Sequence, residues 1–297
     1  MKIVGGKLEK ALDLYSEAFQ YRKVPYIKDV HNALICALKL GQQYQIDYYS
    51  CMIAKYKVDL EPYKQYPNFT VSVNCIASRK SSPWDGNFLD SMLRVAIAIR
   101  ERPKTGDCCR EAFVVDSLNF DALLDAIDLY GFPNDMDLDW NSAVDVPPYY
   151  LTILYALGSS IKEDSVMKYL DFLFAEDLIS PSIYSEYHDY RAGFTAVKSS
   201  PSLGSDYVRY WDGNYYILYF PVSRDRAMND RRKVLGLERI EQFRKKILFQ
   251  EKNPQYCFVQ KGYLEDIYWH DARMARSMIR SWNTSNNKMG HKTNYNP

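Results

Sequence analysis

Apolar residues recur at steps of three and four along most of this chain, and that spacing confines its fold more than any other feature. Over residues 7–22 it places Leu8, Ala11, Leu12, Tyr15, Ala18 and Phe19 on one stripe, which ends at Val24-Pro25. A second helix is predicted over 28–40, burying Ala33, Leu34, Ala37 and Leu38, with Gly41 suited to the left-handed residue that stops a helix. A third, over 43–56, presents Tyr44, Tyr48, Cys51 and Met52 as its apolar side. Three such helices with short connections describe an antiparallel helical array.

Pro62 and Pro67 end the array. Residues 70–76 alternate weakly and read as a short strand or as linker, and the serine-rich stretch 78–86 is the expected domain boundary. A helix over 87–102 carries Phe88, Leu89, Met92, Leu93, Ala96, Ile97 and Arg100 on one face, and residues 103–109 read as a loop. Another helix over 116–130 is closed by Gly131-Phe132-Pro133. Asn134–Val146 is acidic and expected to be solvated, after which helices resume over 149–157 and 163–175. Ser180 suits an N-cap and Pro181 the first turn of a helix carrying Tyr184, Tyr187, His188 and Arg191.

The helical period breaks at Asp206–Leu237. Two aromatic runs, 206–211 and 214–220, flank Asp212-Gly213, a dipeptide that supplies the positive φ angles of a tight turn, so a β-hairpin is expected near 206–220. A basic segment follows and leads into a helix over 236–249. A last helix over 263–282 precedes a polar, asparagine-rich tail, 283–297, expected to be disordered. The fold class is mainly α: a helical region at 1–80, a connecting helix at 81–104, a helical domain with the hairpin at 105–261, and a C-terminal helix and tail at 262–297.

Two resemblances refine this outline. Ala11, Tyr15 and Ala18 resemble the second helix of a tetratricopeptide repeat, and Leu40-Gly41-Gln42 resembles the turn of the next repeat. Ile46, Ser50 and Ile53 depart from that pattern, which favours alanine, an aromatic residue and alanine there. From about Asp116 to Ile247 the chain resembles an uncharacterised bacterial domain family, a domain of unknown function often found behind helical repeats. The residues carrying this are Asp116-Ser117-Leu118-Asn119, Tyr130-Gly131-Phe132-Pro133, Ile179-Ser180-Pro181 with Tyr184 and Asp189, Pro221-Val222, and Arg231-Arg232 with Leu235-Gly236-Leu237. The family's pattern has a histidine in the helix at 149–158, where this chain offers only Tyr155. It also follows the aspartate with an arginine, where here Asp189-Tyr190-Arg191 displaces the basic residue by one. Its polar tyrosine-glycine-threonine segment is reduced to Leu203-Gly204-Ser205-Asp206, so a site made by those positions in relatives would be degenerate here.

Charge and cysteine usage exclude several functions. Lysine and arginine (38) nearly cancel aspartate and glutamate (37), which argues against a dedicated nucleic-acid binder. The 26 tyrosines suit helix-packing surfaces and shallow grooves, with ring buried and hydroxyl wet. None of the six cysteines forms a Cys-x-x-Cys pair, so a thiolate metal site is not expected, and Cys36 and Cys51 read as small core residues in a reducing compartment. With no signal pattern and no run of membrane-spanning length, a cytoplasmic protein without membrane contact is expected.

Catalytic signatures are missing: there is no Gly-x-Ser-x-Gly elbow, phosphate loop or dinucleotide fingerprint. His188-Asp189 and His270-Asp271 have the order of a metal-dependent phosphohydrolase pair, but His31 is the only histidine before the first of them. Cys108-Cys109, beside Arg110, lacks a placed base. No metal or other cofactor is therefore expected. His188, Asp189 and Arg191 remain the candidate catalytic residues, and Arg231, Arg232, Trp211 and Tyr216 the candidate binding residues. Arg224, Arg226, Arg231, Arg232 and Lys233 form the sharpest basic cluster. Either Arg231 or Arg232 pairs with a buried carboxylate such as Asp189, or the cluster receives an anion. The leading expectation is a non-catalytic protein that binds a protein or peptide partner. The alternative is a degenerate hydrolase-like or anion-binding domain using Asp189, Arg191 and Arg231/Arg232.

Overall fold

Ten of the 14 residues in α2 (Ile27–Leu40) are buried, so this helix is enclosed on nearly every side. The computed structural model describes residues 2–22, 24–77, 82–84, 87–101, 108–135, 138, 148–158, 163–195, 207–211, 215–219, 225–258 and 291–293. Eleven α-helices among them make the protein mainly helical. α1 (Leu8–Tyr21) and α3 (Gln43–Lys55) both pack on α2. Gly41 at φ 66° ends α2, and the Gln42 N–H bonds back to the Ala37 carbonyl at 3.1 Å, satisfying a carbonyl the helix leaves open. At the other end no local side chain caps α2. The Asp135 carboxylate does so from 108 residues away, accepting the Ile27 N–H at 2.7 Å. The stretch expected to be a solvated acidic loop therefore sends one carboxylate into the fold. Burial pushes the Asp135 carboxyl up to about 6, with the Ile27 N–H pulling the other way.

α3 corrects the sequence reading of its faces. Its buried side is Ile46, Tyr49, Ser50, Ile53 and Ala54, whereas Tyr44 and Tyr48, read as packed, are 80% and 51% exposed. Cys51 is not a small core residue: it is disulfide-bonded to Cys75 in α4 (Val73–Ala77), a short helix where a strand or linker was expected. α4 buries none of its residues, so the bond to α3 is its firmest anchor. With this pair oxidised, the cysteine pattern ceases to argue for a reducing compartment. Cys36 is a buried free thiol as expected, pushed up to about 12 by burial.

Three further helices pack together: α5 (Asn87–Glu101), α6 (Cys108–Tyr130) and α7 (Pro148–Gly158). Leu89, Met92, Ala96 and Ile99 line the buried side of α5, and the Asn119 amide of α6 donates to the Met92 carbonyl at 3.0 Å. α6 starts eight residues earlier than expected, so Cys108 and Cys109 stand in its first turn and not in a loop.

The described residues divide into two units, Met1–Val166 with Phe249–Gln260, and Met167–Leu248 with Lys261–Pro297, a division that does not fall at the expected boundary in 78–86. In the first unit, residues 253–258 lie against α2. Asn32 donates to the Cys257 carbonyl at 2.5 Å and accepts its N–H at 2.8 Å, much as a neighbouring strand would. α8 (Glu163–Ala175) enters the second unit at Met167, and there it joins α9 (Pro181–Thr195) through a 4.5 Å stack of Phe174 on Tyr184 and a Tyr184 hydroxyl bond to Asp171 at 2.7 Å. Ser180 caps α9 through the Ile183 N–H at 3.2 Å.

Strand β1 (Tyr207–Trp211) pairs antiparallel with β2 (Tyr215–Tyr219), Tyr207 opposite Tyr219 and Trp211 opposite Tyr215; residues 212–214 lie outside the described ones. β3 (His291–Thr293) pairs with the other edge of β2, which places part of the tail expected to be disordered in a strand. The helix expected over 263–282 lies outside the described residues. The basic segment forms a helix of its own, α10 (Asp225–Val234), followed by α11 (Ile240–Lys252). Gly236, at φ +69°, ends α10 and does not start the next helix: the Leu237 N–H returns to the Arg232 carbonyl at 2.9 Å.

Candidate functional site

Of the residues singled out for catalysis or anion binding, Arg232 and Asp189 are both buried in the second unit. The Arg232 side chain is 1% exposed and Asp189 on α9 is 0% exposed. Arg232 Nε donates to the Glu238 carbonyl at 2.6 Å, and its guanidinium carbon lies 5.0 Å from the centre of the Phe243 ring. Burial lowers the Arg232 pKa, while Glu238 and then Asp189 act to restore it. Burial likewise works to raise Glu238, but Lys246 at 3.0 Å outweighs it and holds that carboxyl below its ordinary value. Asn229, one turn before Arg232, accepts the Ile240 N–H at 2.8 Å and donates to both Glu241 carboxylate oxygens at 3.3 Å. Side chains of α10 thus hold the 235–239 turn and the start of α11. Among the described residues, both Asp189 and Arg232 are closed off from solvent. Of the two readings of the basic cluster, the burial of Arg232, with Glu238 and then Asp189 acting on its charge, fits the internal one.

Other candidates disperse. Arg231, adjacent to Arg232 but about 100° round the helix, is exposed, as are Arg226 and Lys233. His188 is half-buried, its ring 6.1 Å from that of Tyr184 and tilted by 53°. The backbones of Arg191, Trp211 and Tyr216 belong to α9, β1 and β2; their side chains, like Arg224 and the His270-Asp271 pair, lie outside the described residues. Among the described residues, no group of three or more histidine, cysteine, aspartate or glutamate side chains is placed to hold a metal ion. His31 is a buried packing residue. Its Nε2–H donates to the Gln255 carbonyl at 2.8 Å, which leaves Nδ1 to accept from the Tyr63 hydroxyl at 2.7 Å. Burial lowers the ring's pKa to about 4, against the pull of the Gln255 carbonyl.

The first unit carries a different kind of surface, one the sequence reading assigned to packing. Tyr44 and Tyr48 stand one turn apart on the outside of α3, 80% and 51% exposed. From Tyr48 an aromatic row runs inward: Tyr48 to Tyr49 at 5.2 Å, Tyr49 to Phe19 at 5.9 Å, and Phe19 to Tyr15 at 5.9 Å. The Ser16 and Tyr49 hydroxyls hydrogen-bond at 2.8 Å, fixing α1 beside α3. The sequence signal for this was the competing stripe Ile46, Tyr49 and Ile53, which also has helical spacing and is richer in aliphatic groups.

No helix among the described residues is long and apolar enough to cross a membrane. No family model, curated protein or solved structure matches the chain.

Proposed function

We propose that this is a non-catalytic binding protein. Its N-terminal helices, a tetratricopeptide-like start, hold a protein or peptide partner. The helical domain behind them, with its hairpin and its resemblance to the uncharacterised bacterial family, acts as scaffold. The observation that carries this reading is the pair Tyr44 and Tyr48, large rings left 80% and 51% exposed on a helix whose opposite side is well packed. Tyrosine suits such a surface because it offers broad apolar contact and a hydroxyl at little entropic cost. The anion-binding alternative through Asp189, Arg191 and Arg231/Arg232 draws less support, since Asp189 and Arg232 are both inaccessible.

An array of unrelated peptides probed with the wild-type protein and with Tyr44→Ala/Tyr48→Ala tests the reading. Peptides retained by the wild type should lose about tenfold or more in affinity for the double variant, as removal of interface tyrosines ordinarily does. Equal retention by both proteins, or turnover of a substrate in a broad hydrolase screen, would overturn it.

A further inference from the structure

The α1–α3 face also carries a charge pattern that names its partner's chemistry; the step rests on reading that face as the binding surface. On α1, Glu9, Asp13, Ser16 and Gln20 follow at steps of four, three and four, which sets them along one side of the helix. The Ser16–Tyr49 bond shows that this side borders α3. Glu17 extends the row from Asp13 by one turn, and Glu9, Asp13 and Glu17 are all exposed. None of the three has an ion pair or hydrogen bond to another described side chain. Across from them stand Tyr44 and Tyr48. Counting back from the Ser16–Tyr49 bond, Tyr48 falls level with Tyr15 and Tyr44 with Ala11, which brackets Asp13. Of the exposed cations, Lys10 lies three residues before Asp13 and seven before Glu17, on their side of α1, so three carboxylates stand there against one ammonium and the row stays negative; Lys55 is two turns beyond Tyr48. Asp47 is already engaged by Thr70 and Gln43, at 2.5 and 2.8 Å.

We infer that the partner is a basic peptide segment, in which lysine or arginine alternates with apolar residues, lying along α1 and α3. Its cations meet Glu9, Asp13 and Glu17 and lie over the tyrosine faces, while its apolar side chains cover the rings. An acidic segment would bring like charges to the same row and be repelled.

Fluorescence anisotropy with a labelled peptide of about a dozen residues, alternating lysine and leucine, tests this against the same peptide with glutamate for lysine. The basic peptide should bind the wild type at least about tenfold more tightly, and lose about tenfold for Asp13→Lys/Glu17→Lys, a gap that narrows as salt is raised. Both charge-reversed and wild-type proteins should melt alike. If charge reversal leaves affinity unchanged, or the acidic peptide binds better, the basic partner is refuted while a binding face remains. If neither peptide prefers the wild type to Tyr44→Ala/Tyr48→Ala, the face itself is refuted along with its partner.

Discussion

Around Arg232 the charged and polar groups of α9, α10 and the start of α11 are turned on one another; on α1 and α3 large rings and free carboxylates face outward. The sequence of the first region looked more like a site, since it holds the His188-Asp189 pair and the sharpest basic cluster. Yet a guanidinium at 1% exposure and a carboxylate at 0% present no surface to a ligand. Taking both from water costs several kcal/mol apiece, on the order recovered by mutual attraction and hydrogen bonds. The second region offered no recognised catalytic motif, but its outer tyrosines, Tyr44 and Tyr48, bury little of their area within the unit. The contrast teaches that a cluster of functional residue types matters less than whether the fold leaves their contacts unfilled.

The largest expected effect breaks or confirms the closed half of that contrast. Asp189→Ala should cost about 3 kcal/mol or more, because it removes one of the two carboxylates that offset the charge of the buried Arg232. Thermal melting followed by circular dichroism would read this directly. A variant that melts like the wild type would mean that Asp189 does not support the fold and would reopen the anion-binding alternative.

What was legible follows from how far a signal must travel along the chain. The Ser180 cap and the Gly41 stop were readable because donor and acceptor are a few residues apart. α10 was missed because between Asp225 and Val234 only Met228 and Arg232 are buried among the described side chains, so no apolar stripe marks it. Gly236 was consequently taken for a beginning. The Asp135 cap and the Cys51–Cys75 bond join segments that carry no local sign of each other, at separations of 108 and 24 residues. On α3, two stripes had helical spacing, and only the packing of α2 selects between them. The open face was therefore the part of the candidate site least visible in sequence.

The open region rests on a closed floor of its own, and pH should sharpen that distinction. His31 is held down to about 4 from 6.5, so its contribution is complete above pH 6.5 and is lost as pH falls toward 4. Asp135 is held up at about 6 from 3.8, so its contribution is complete below pH 3.8 and is lost as pH rises through 6. Between pH 4 and 6 the two slopes oppose, and each pKa unit corresponds to about 1.4 kcal/mol. Denaturant melts over that window should show little net change from these groups in the wild type. His31→Gln should gain stability on acidification and Asp135→Asn should lose it; matching profiles for the two variants would contradict the buried environments described here.

Ser50 gives a smaller effect of opposite sign. Its hydroxyl is fully buried in α3 without a hydrogen-bond partner, so Ser50→Ala should stabilise the protein by about 1 kcal/mol, read as a raised melting temperature. A loss would mean that the hydroxyl is satisfied in solution.

The smallest effect bears most on function. If Tyr44 and Tyr48 are kept for a partner, their removal should hardly touch folding, because side chains 80% and 51% exposed withdraw little area from water within the unit. Tyr44→Ala should change stability by less than about 0.5 kcal/mol, and Tyr48→Ala by slightly more, since its ring also meets Tyr49 at 5.2 Å. Chemical denaturation of the two single variants beside Tyr49→Ala, whose ring is 1% exposed and whose truncation should cost about 3 kcal/mol or more, supplies the internal scale. A loss at Tyr44 comparable to that at Tyr49 would place the outer ring in the core, and the two regions would then differ only in chemistry and not in openness.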